Sequence, residues 1–386
     1  MILEHRHDLT AFREAVRTWA RKTAPPDESR VWLEAKGAER VEIQKWWMAE
    51  RRQVGLATPH WPEEYGGAGL SLVHQVIIAD EFARGKTPGD EVFVIGLNHL
   101  PSTLIPFGTE AQKKKYLPTV SQGTVWCQAF SEPNAGSDLA NLKTRAVLQG
   151  DHYVINGQKI WSSRSMFARY AILLARTDSE AKKQRGITYF ILDMQAPGIE
   201  VRPIRKSTGH SDFAELFLTN VRIPVEDRVG EENQGWTVAQ ATLSSERGVL
   251  AFEFVEREHA FLMDFYGEAL ADEAAWLEEP ELRREFMRIF ADLQAVRRQI
   301  RDLLRESHDT GGWSMTPALV KLTRTILMQE FAEFRMRIDE DQSQVVVQRY
   351  RAPMYDYLES FGHTIAAGTN EVMRNLIAER GLGMPR

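Results

Sequence analysis

The sequence predicts an α+β protein, mostly α. It has an N-terminal helical domain, a middle antiparallel β-barrel or sandwich domain, and a C-terminal helical bundle. Three observations carry this. Apolar residues recur at helical spacing before residue 120 and again after residue 234. Between them lie short β-prone runs separated by turn residues. The 386 residues give room for two or three domains at roughly 150 residues each. The changes in texture place the domains at 1–121, 122–231 and 232–386.

Leu9, Phe12, Val16 and Trp19 set an early helix, and Val76, Ile77, Phe82 and Ala83 set a later one. Between them, TPHWPEEYGGAGLS holds two prolines and the Gly66-Gly67-Ala68-Gly69 cluster, so it is a loop. Ser71 is a natural N-cap for the helix that follows. In the middle domain, HYVINGQKIWSS carries Asn156-Gly157 between two β-prone arms, which predicts a tight hairpin turn. YAILLAR, GITYFILD and AELFLTNVRI read as further strands, punctuated by Pro197-Gly198 and Ile223-Pro224. Three long amphipathic helices follow. One runs through TVAQATLSSERGVLAFEF, one carries Leu282, Phe286, Ile289, Phe290, Leu293, Val296, Ile300, Leu303 and Leu304, and one is PALVKLTRTILMQEFAEF.

Composition narrows the function. Hydrophobic residues make up 43% and charged residues 26%, the balance of a soluble protein. The formal net charge of −6 argues against a nucleic-acid partner, which requires a basic stripe. The single cysteine, Cys127, excludes an internal disulfide framework and a cysteine-based zinc cluster. His5, His7 and His60 lack paired ligand spacing, so no metal site is expected. MILEHRHDLT lacks the apolar core of a signal peptide, and no run approaches about 18 apolar residues. The expectation is a cytoplasmic protein with no membrane partner.

Three stretches can carry chemistry. WCQAFSEPNAGSDLANL is irregular but flanked by strand-like residues, so its amides and the Ser131 and Ser137 hydroxyls are suited to grip a polar heterocycle. Ile160-Trp161-Ser162-Ser163 ends a strand with an indole that can stack on a flat ring and with hydroxyls that can meet ring heteroatoms. Ala366-Ala367-Gly368 precedes Thr369, a natural N-cap of a helix whose start suits an anion or a thioester carbonyl. Each is common alone, as a surface turn, an edge tryptophan or a capped helix.

Together and in order they resemble the acyl-CoA dehydrogenase family. Phe130-Ser131-Glu132-Pro133 with Ala135-Gly136-Ser137-Asp138, Trp161-Ser162-Ser163, and Gly368-Thr369-Asn370-Glu371 carry the likeness. Trp61-Pro62-Glu63-Glu64-Tyr65-Gly66-Gly67 and Phe107-Gly108-Thr109-Glu110-Ala111-Gln112-Lys113 extend it over nearly the whole chain. The resemblance implies that family's fold, an N-terminal helical domain, a middle β domain and a C-terminal four-helix bundle, with FAD as cofactor, an acyl-CoA substrate and an electron-transfer flavoprotein as electron acceptor. It implies that Phe130 and Ser131 contact the flavin ring and that Gly136 and Ser137 line the pyrophosphate and substrate side. Trp161 would cover the ring, Ser163 would hydrogen-bond near its reactive nitrogen, Thr369 and Glu371 would meet the ribityl-phosphate region, and Ser162 and Asn370 would be further cofactor-binding residues.

Many family members place their catalytic carboxylate directly before the glycine of the Gly-Thr element. Here that residue is Ala367, which cannot accept a proton. A subset resembling isovaleryl- and long-chain-acyl-CoA dehydrogenases carries the base on a bundle helix, directly before an arginine. Glu246-Arg247 stands at the matching place, so the resemblance assigns Glu246 as base and Arg247, Ala367 and Gly368 to the substrate side. Two family elements that hold the FAD adenosine half, Arg-x-x-Phe-Gly and a glutamine-rich Gly-Gly, are not found in this sequence. This departure resembles the actinobacterial steroid side-chain enzymes, in which a homologous second subunit completes an α2β2 tetramer; a homo-oligomer is the other arrangement. Two rival readings stay open, a non-catalytic half-site subunit and a flavin monooxygenase or oxidase on the same fold.

Overall fold

Helix signals and strand signals separate cleanly in this chain, and the folded elements follow them. The computed structural model describes residues 2–24, 35–245, 249–309, 315–339, 343–344, 346 and 351–385. Two compact units emerge. One combines Met1–Glu34, Ser71–Thr87 and Arg247–Arg386; the other combines Ala35–Leu70 and Pro88–Glu246.

The first unit is helical. Helix α1 (Leu9–Thr23) starts at Asp8, whose carboxylate accepts from the Thr10 and Ala11 amides. It buries Phe12, Val16 and Ala20, one stripe at four-residue spacing, while Leu9 is exposed. Ser71 does precede a helix (Leu72–Arg84), but its hydroxyl meets His74 Nδ1 at 2.8 Å instead of capping. The remaining long helices are Val249–Ala271, Pro280–Asp309, Thr316–Ile338 and Pro353–Ile365, followed by the short Asn370–Leu376. Phe286, Ile289, Leu293, Val296 and Ile300 form one buried stripe with Phe252, Val255, Leu327 and Phe334. Leu282 and Phe290 lie at its edge, partly buried.

The second unit carries α2 (Gly37–Gln53), and α3 is the Leu72–Arg84 helix of the first unit. Next come α4 (Leu100–Phe107) and α5 (Glu110–Ser121), the latter opened by a full Thr109–Gln112 capping box. The strands are β1 (Trp126–Ala129), β2 (Arg145–Gln149), β3 (His152–Ser163), β4 (Tyr170–Arg176), β5 (Ile187–Asp193), β6 (Ile199–Ile204), β7 (Phe213–Pro224) and β8 (Arg228–Val229). They form one sheet in the order β6-β7-β3-β2-β4-β5-β8, with β1 added beside β4. Most pairs are antiparallel, but β1 and β2 meet β4 in parallel, and the path does not close. The middle segment is thus β-rich as expected, without the closed-barrel alternative. On β4, Ile172 and Leu174 enter one core and Ala171, Leu173 and Ala175 the other. Burial of both faces explains why this strand reads as an unbroken apolar run.

The hairpin expected at Asn156-Gly157 is not there. Strand β3 runs straight through it, and the turn to β2 falls at Gly150-Asp151 instead. Gly157 serves a close approach: a Cβ there would sit 2.5 Å from Thr144 Oγ1. Helix α6 (Gly235–Ser245) closes the unit, with Gly235 against the Thr188 backbone and Val238 and Ala239 in the core.

Candidate active site

Strand β1 ends at Ala129, and the chain then crosses β3 without joining it as a strand. Two hydrogen bonds fix that crossing. Ile160 N–H donates to Ser131 O at 2.9 Å, and the Lys159 ammonium donates to Phe130 O at 3.0 Å. A short bridge between Glu132 and Ala135 then closes the Pro133-Asn134 turn. The two ring-contacting stretches expected from sequence, 130–131 and 160–163, are therefore laid side by side. Phe130 is buried edge-on against Tyr189, with ring centroids 5.7 Å apart. Gly136 and Ser137 are exposed beyond the turn, and a Cβ at Gly136 would meet nothing. Among the described residues, no side chain or backbone group bonds the Ser131, Ser137 or Ser163 hydroxyls.

Trp161 occupies a bulge. Lys159 pairs with Leu216 and Ser162 with Ala214, so β3 spends one residue more than β7 there. Trp161 takes φ +61°, left-handed backbone that a bulky residue adopts only when its surroundings enforce it. The bulge turns the indole outward, 57% exposed, with its edge toward Phe213. Ser162, on the opposite side, is fully buried and its hydroxyl has no partner among the described residues.

Sequence reading missed the supports behind these groups. Asp212 accepts from Lys206 Nζ at 2.6 Å, pairs with Arg164, and receives the Arg164 amide on its carbonyl at 2.9 Å. Burial pushes the Asp212 carboxyl up, but the Arg164 charge and Lys206 outweigh it and bring it down to about 2. This cluster pins the β7 side of the bulge. Lys159 and Glu132 pin the other side. Alternation along β3 was the available signal for Lys159, since it shares the inward face with Tyr153 and Ile155.

The Gly-Thr element lies in the helical unit. Ala367 and Gly368 both take left-handed φ, +56° and +88°, between the Pro353–Ile365 helix and α11 (Asn370–Leu376). In this numbering Val249–Ala271, Pro280–Asp309, Thr316–Ile338 and Pro353–Ile365 are α7 to α10. Thr369 caps α11 by accepting from Val372 N at 3.2 Å. Asn370 is buried, and its carboxamide oxygen accepts from Lys321 Nζ at 2.8 Å and Thr325 Oγ1 at 3.0 Å, tying α11 to α9. Glu371 is exposed and pairs with Arg374. Glu246 and Arg247 lie outside the described residues. Among the described residues, no group of histidine, cysteine, aspartate and glutamate is arranged to hold a metal ion, and no helix is long and apolar enough to cross a membrane.

A left-handed, outward tryptophan and unbonded serine hydroxyls thus lie where the 130–131 loop crosses the end of β3. Residues 6–124, 127–221 and 233–382 match, in turn, the N-terminal, middle and C-terminal domains of acyl-CoA dehydrogenases. The chain belongs to the acyl-CoA dehydrogenase family of oxidoreductases, whose members are FAD flavoproteins. It is 34% identical to the acyl-CoA dehydrogenase IpdE1 of Mycolicibacterium smegmatis over 98% of each chain. A Mycobacterium tuberculosis acyl-CoA dehydrogenase, FadE34, is 39% identical over 87% of this chain and 46% of its own length. Among solved structures, a Tcur3481-Tcur3483 steroid ACAD superposes with a TM-score of 0.85 at 31% identity, covering 98% of both chains. The ChsE4-ChsE5 complex from Mycobacterium tuberculosis gives 0.80 at 28% identity, over 99% and 98%.

The residues present fit the family's cofactor. An outward indole, two unsatisfied hydroxyls on adjoining stretches and an open glycine are the donor set and the clearance that a flavin ring needs.

Proposed function

We propose that this chain dehydrogenates an acyl-CoA thioester between Cα and Cβ, holding FAD at the Phe130–Ser131 loop and the Trp161 strand end. The observation that supports it most is the pairing of those two stretches through Ile160 and Lys159. When bound, FAD supplies the acceptor for the hydride leaving Cβ. Trp161 covers the ring, and Ser131 and Ser163 offer hydroxyls to it, while the Ser162 hydroxyl, buried on the opposite side of the strand, faces away from it. Gly136 and Ser137 line the pyrophosphate and substrate side, and Thr369, Asn370 and Glu371 meet the ribityl-phosphate.

An α-proton beside a thioester is a poor acid, so its removal requires a positioned carboxylate. Ala367 offers only a methyl group. Glu246 takes the proton from Cα, and Arg247 supports it at the substrate side with Ala367 and Gly368. The small side chain at 367 leaves room for a bulky acyl group. Similarity to a steroid ACAD supports a ring-bearing acyl-CoA, and similarity to complexes of two named chains supports a homologous second subunit that completes the adenosine half of the cofactor site. Electrons then pass to an electron-transfer flavoprotein.

The test is anaerobic titration of the chain, co-purified with its homologue, against a panel of acyl-CoAs while flavin absorbance is followed. Glu246→Gln is expected to retain flavin and to slow bleaching by at least roughly a hundredfold. Bleaching at the unaltered rate removes Glu246 from the mechanism, and peroxide formed in air at the rate of turnover makes the enzyme an oxidase. Full FAD occupancy in the chain purified alone contradicts the second subunit.

A further inference from the structure

Lys159 is the one lysine among the described residues whose side chain is wholly buried. Its ammonium does two things. It donates to Phe130 O at 3.0 Å and to Glu132 Oε1 at 2.9 Å. The Glu132 carboxylate also accepts the Thr144 amide at 2.8 Å and the Lys143 amide at 2.6 Å. One buried ion pair thus joins three segments: the loop at 130–132, the approach to β2 at 143–144, and β3. Burial lowers the Lys159 ammonium to about 8 while Glu132 pulls the other way. Burial raises the Glu132 carboxyl, but the Lys159 charge and the two amides outweigh it and hold it below its ordinary value.

The consequence lies in the peptide plane. The bond between Phe130 and Ser131 is trans, since no peptide bond among the described residues is cis. In a trans peptide the C=O and the next N–H point in opposite directions. Drawing Phe130 O inward onto Lys159 therefore turns the Ser131 N–H outward, and no described residue accepts from it. An apolar residue at 159 would leave the Phe130 carbonyl buried without its partner, and the plane would lose the reason to hold this orientation. Ion pairs this deep are weak devices for stability, because desolvation offsets most of their attraction. Their use is to fix one arrangement.

We infer that Lys159 and Glu132 are a positioning pair that orients the Ser131 amide and hydroxyl, together with the adjoining Trp161 bulge, toward the flavin ring. This rests on the reading that the chain holds FAD.

The test compares wild type, Lys159→Met and the double variant Lys159→Met/Glu132→Gln, each co-purified with its homologue. Three readouts are taken: FAD retention on dilution, the vibronic structure of the long-wavelength flavin band, and amide hydrogen exchange. In Lys159→Met, FAD retention is expected to weaken about tenfold to a hundredfold, the loss of one charge-assisted hydrogen bond. The flavin band is expected to blur. Exchange at 130–137 is expected to quicken, with β4 and β5 unchanged. The double variant removes the unpaired carboxylate, so it regains thermal stability without regaining flavin binding; a purely structural pair would restore both together. The inference is overturned when the double variant folds, retains FAD with the wild-type spectrum and keeps slow exchange at 130–137. A wild type that binds no FAD refutes the proposed function instead, and loop exchange in the FAD-free chain still decides whether Lys159 orders the loop.

Discussion

The hydroxyls of Thr103 and Thr242 lie 3.0 Å apart, fully buried, with the Tyr189 phenol 3.4 and 3.3 Å from them. Thr103 sits on α4, Thr242 near the end of α6, and Tyr189 on β5, so three elements meet on one chain of hydrogen bonds. Thr103 also donates to His99 O at 2.7 Å. Burial pushes the Tyr189 phenol well above its ordinary range, which keeps it a neutral donor. These contacts hold the described part of α6, Gly235–Ser245, which precedes the proposed base in the sequence.

Thr242→Val removes one hydroxyl from this buried chain but leaves Thr103 bonded to His99 O and beside the Tyr189 phenol, so it is expected to cost about 0.5–1.5 kcal/mol in denaturant unfolding. Thr103→Val/Thr242→Val is expected to cost less than the two single changes added together, because the first change already removes the shared bond. Strict additivity would mean that the hydroxyls do not interact.

Asp212 gives a pH signature. Its carboxyl is held at about 2 in the folded chain against an ordinary value of 3.8, a lowering of roughly two pH units. At 1.36 kcal/mol for each unit this is about 2 kcal/mol. The sign follows from the lowered value: the contribution is complete above pH 4 and is lost as pH falls through the folded value near 2. Asp212→Asn is expected to cost about 2 kcal/mol at pH 7 and progressively less on acidification. A gap between variant and wild type that stays constant from pH 7 down to pH 2.5 contradicts this account.

Trp161 separates stability from binding. Its left-handed backbone costs roughly 1–2 kcal/mol for a residue with a Cβ, and its indole is mostly exposed. Glycine removes the strain but adds freedom to the unfolded chain, worth about 0.5–1 kcal/mol. Trp161→Gly is therefore expected to melt no lower than wild type without flavin, while FAD retention falls about tenfold for want of a stacking partner. A variant that melts much lower would show that the bulge is held by indole packing and not against backbone strain.

How far the sequence discloses this molecule depends on the range of the interactions. Phe12, Val16 and Ala20, or Phe286 to Ile300, repeat within one helix, and local periodicity suffices to read them. Asn156-Gly157 carries a local turn signal that is overruled from outside. Thr144 needs the space a Cβ at 157 would take, and both β2 and β7 pair along β3, so the glycine serves a close approach and the strand continues. The motif loops were legible because their residue types are unusual in combination. The groups that hold those loops were not, because Lys159 meets Phe130 across 29 positions and Arg164 meets Asp212 across 48. A lysine or an aspartate in a sequence carries no mark of the partner that folding brings to it.

The turn before Thr369 supplies a pair of opposed substitutions. Ala367 and Gly368 are consecutive left-handed residues that reverse the chain between α10 and α11. At 368, a methyl group meets the same backbone penalty of roughly 1–2 kcal/mol and comes within 2.7 Å of Met373 Cε, the free end of a side chain that can swing away. Gly368→Ala should therefore cost about 1–2 kcal/mol, nearly all of it from backbone. At 367 that penalty is already present. Ala367→Gly should recover it less the freedom glycine adds to the unfolded state, a gain of about 0.5 kcal/mol. Denaturant unfolding of the two variants should move in opposite directions. If both destabilise alike, the left-handed turn is not enforced at these residues, and the cap at Thr369 would have to be held by the Asn370 contacts to Lys321 and Thr325 alone.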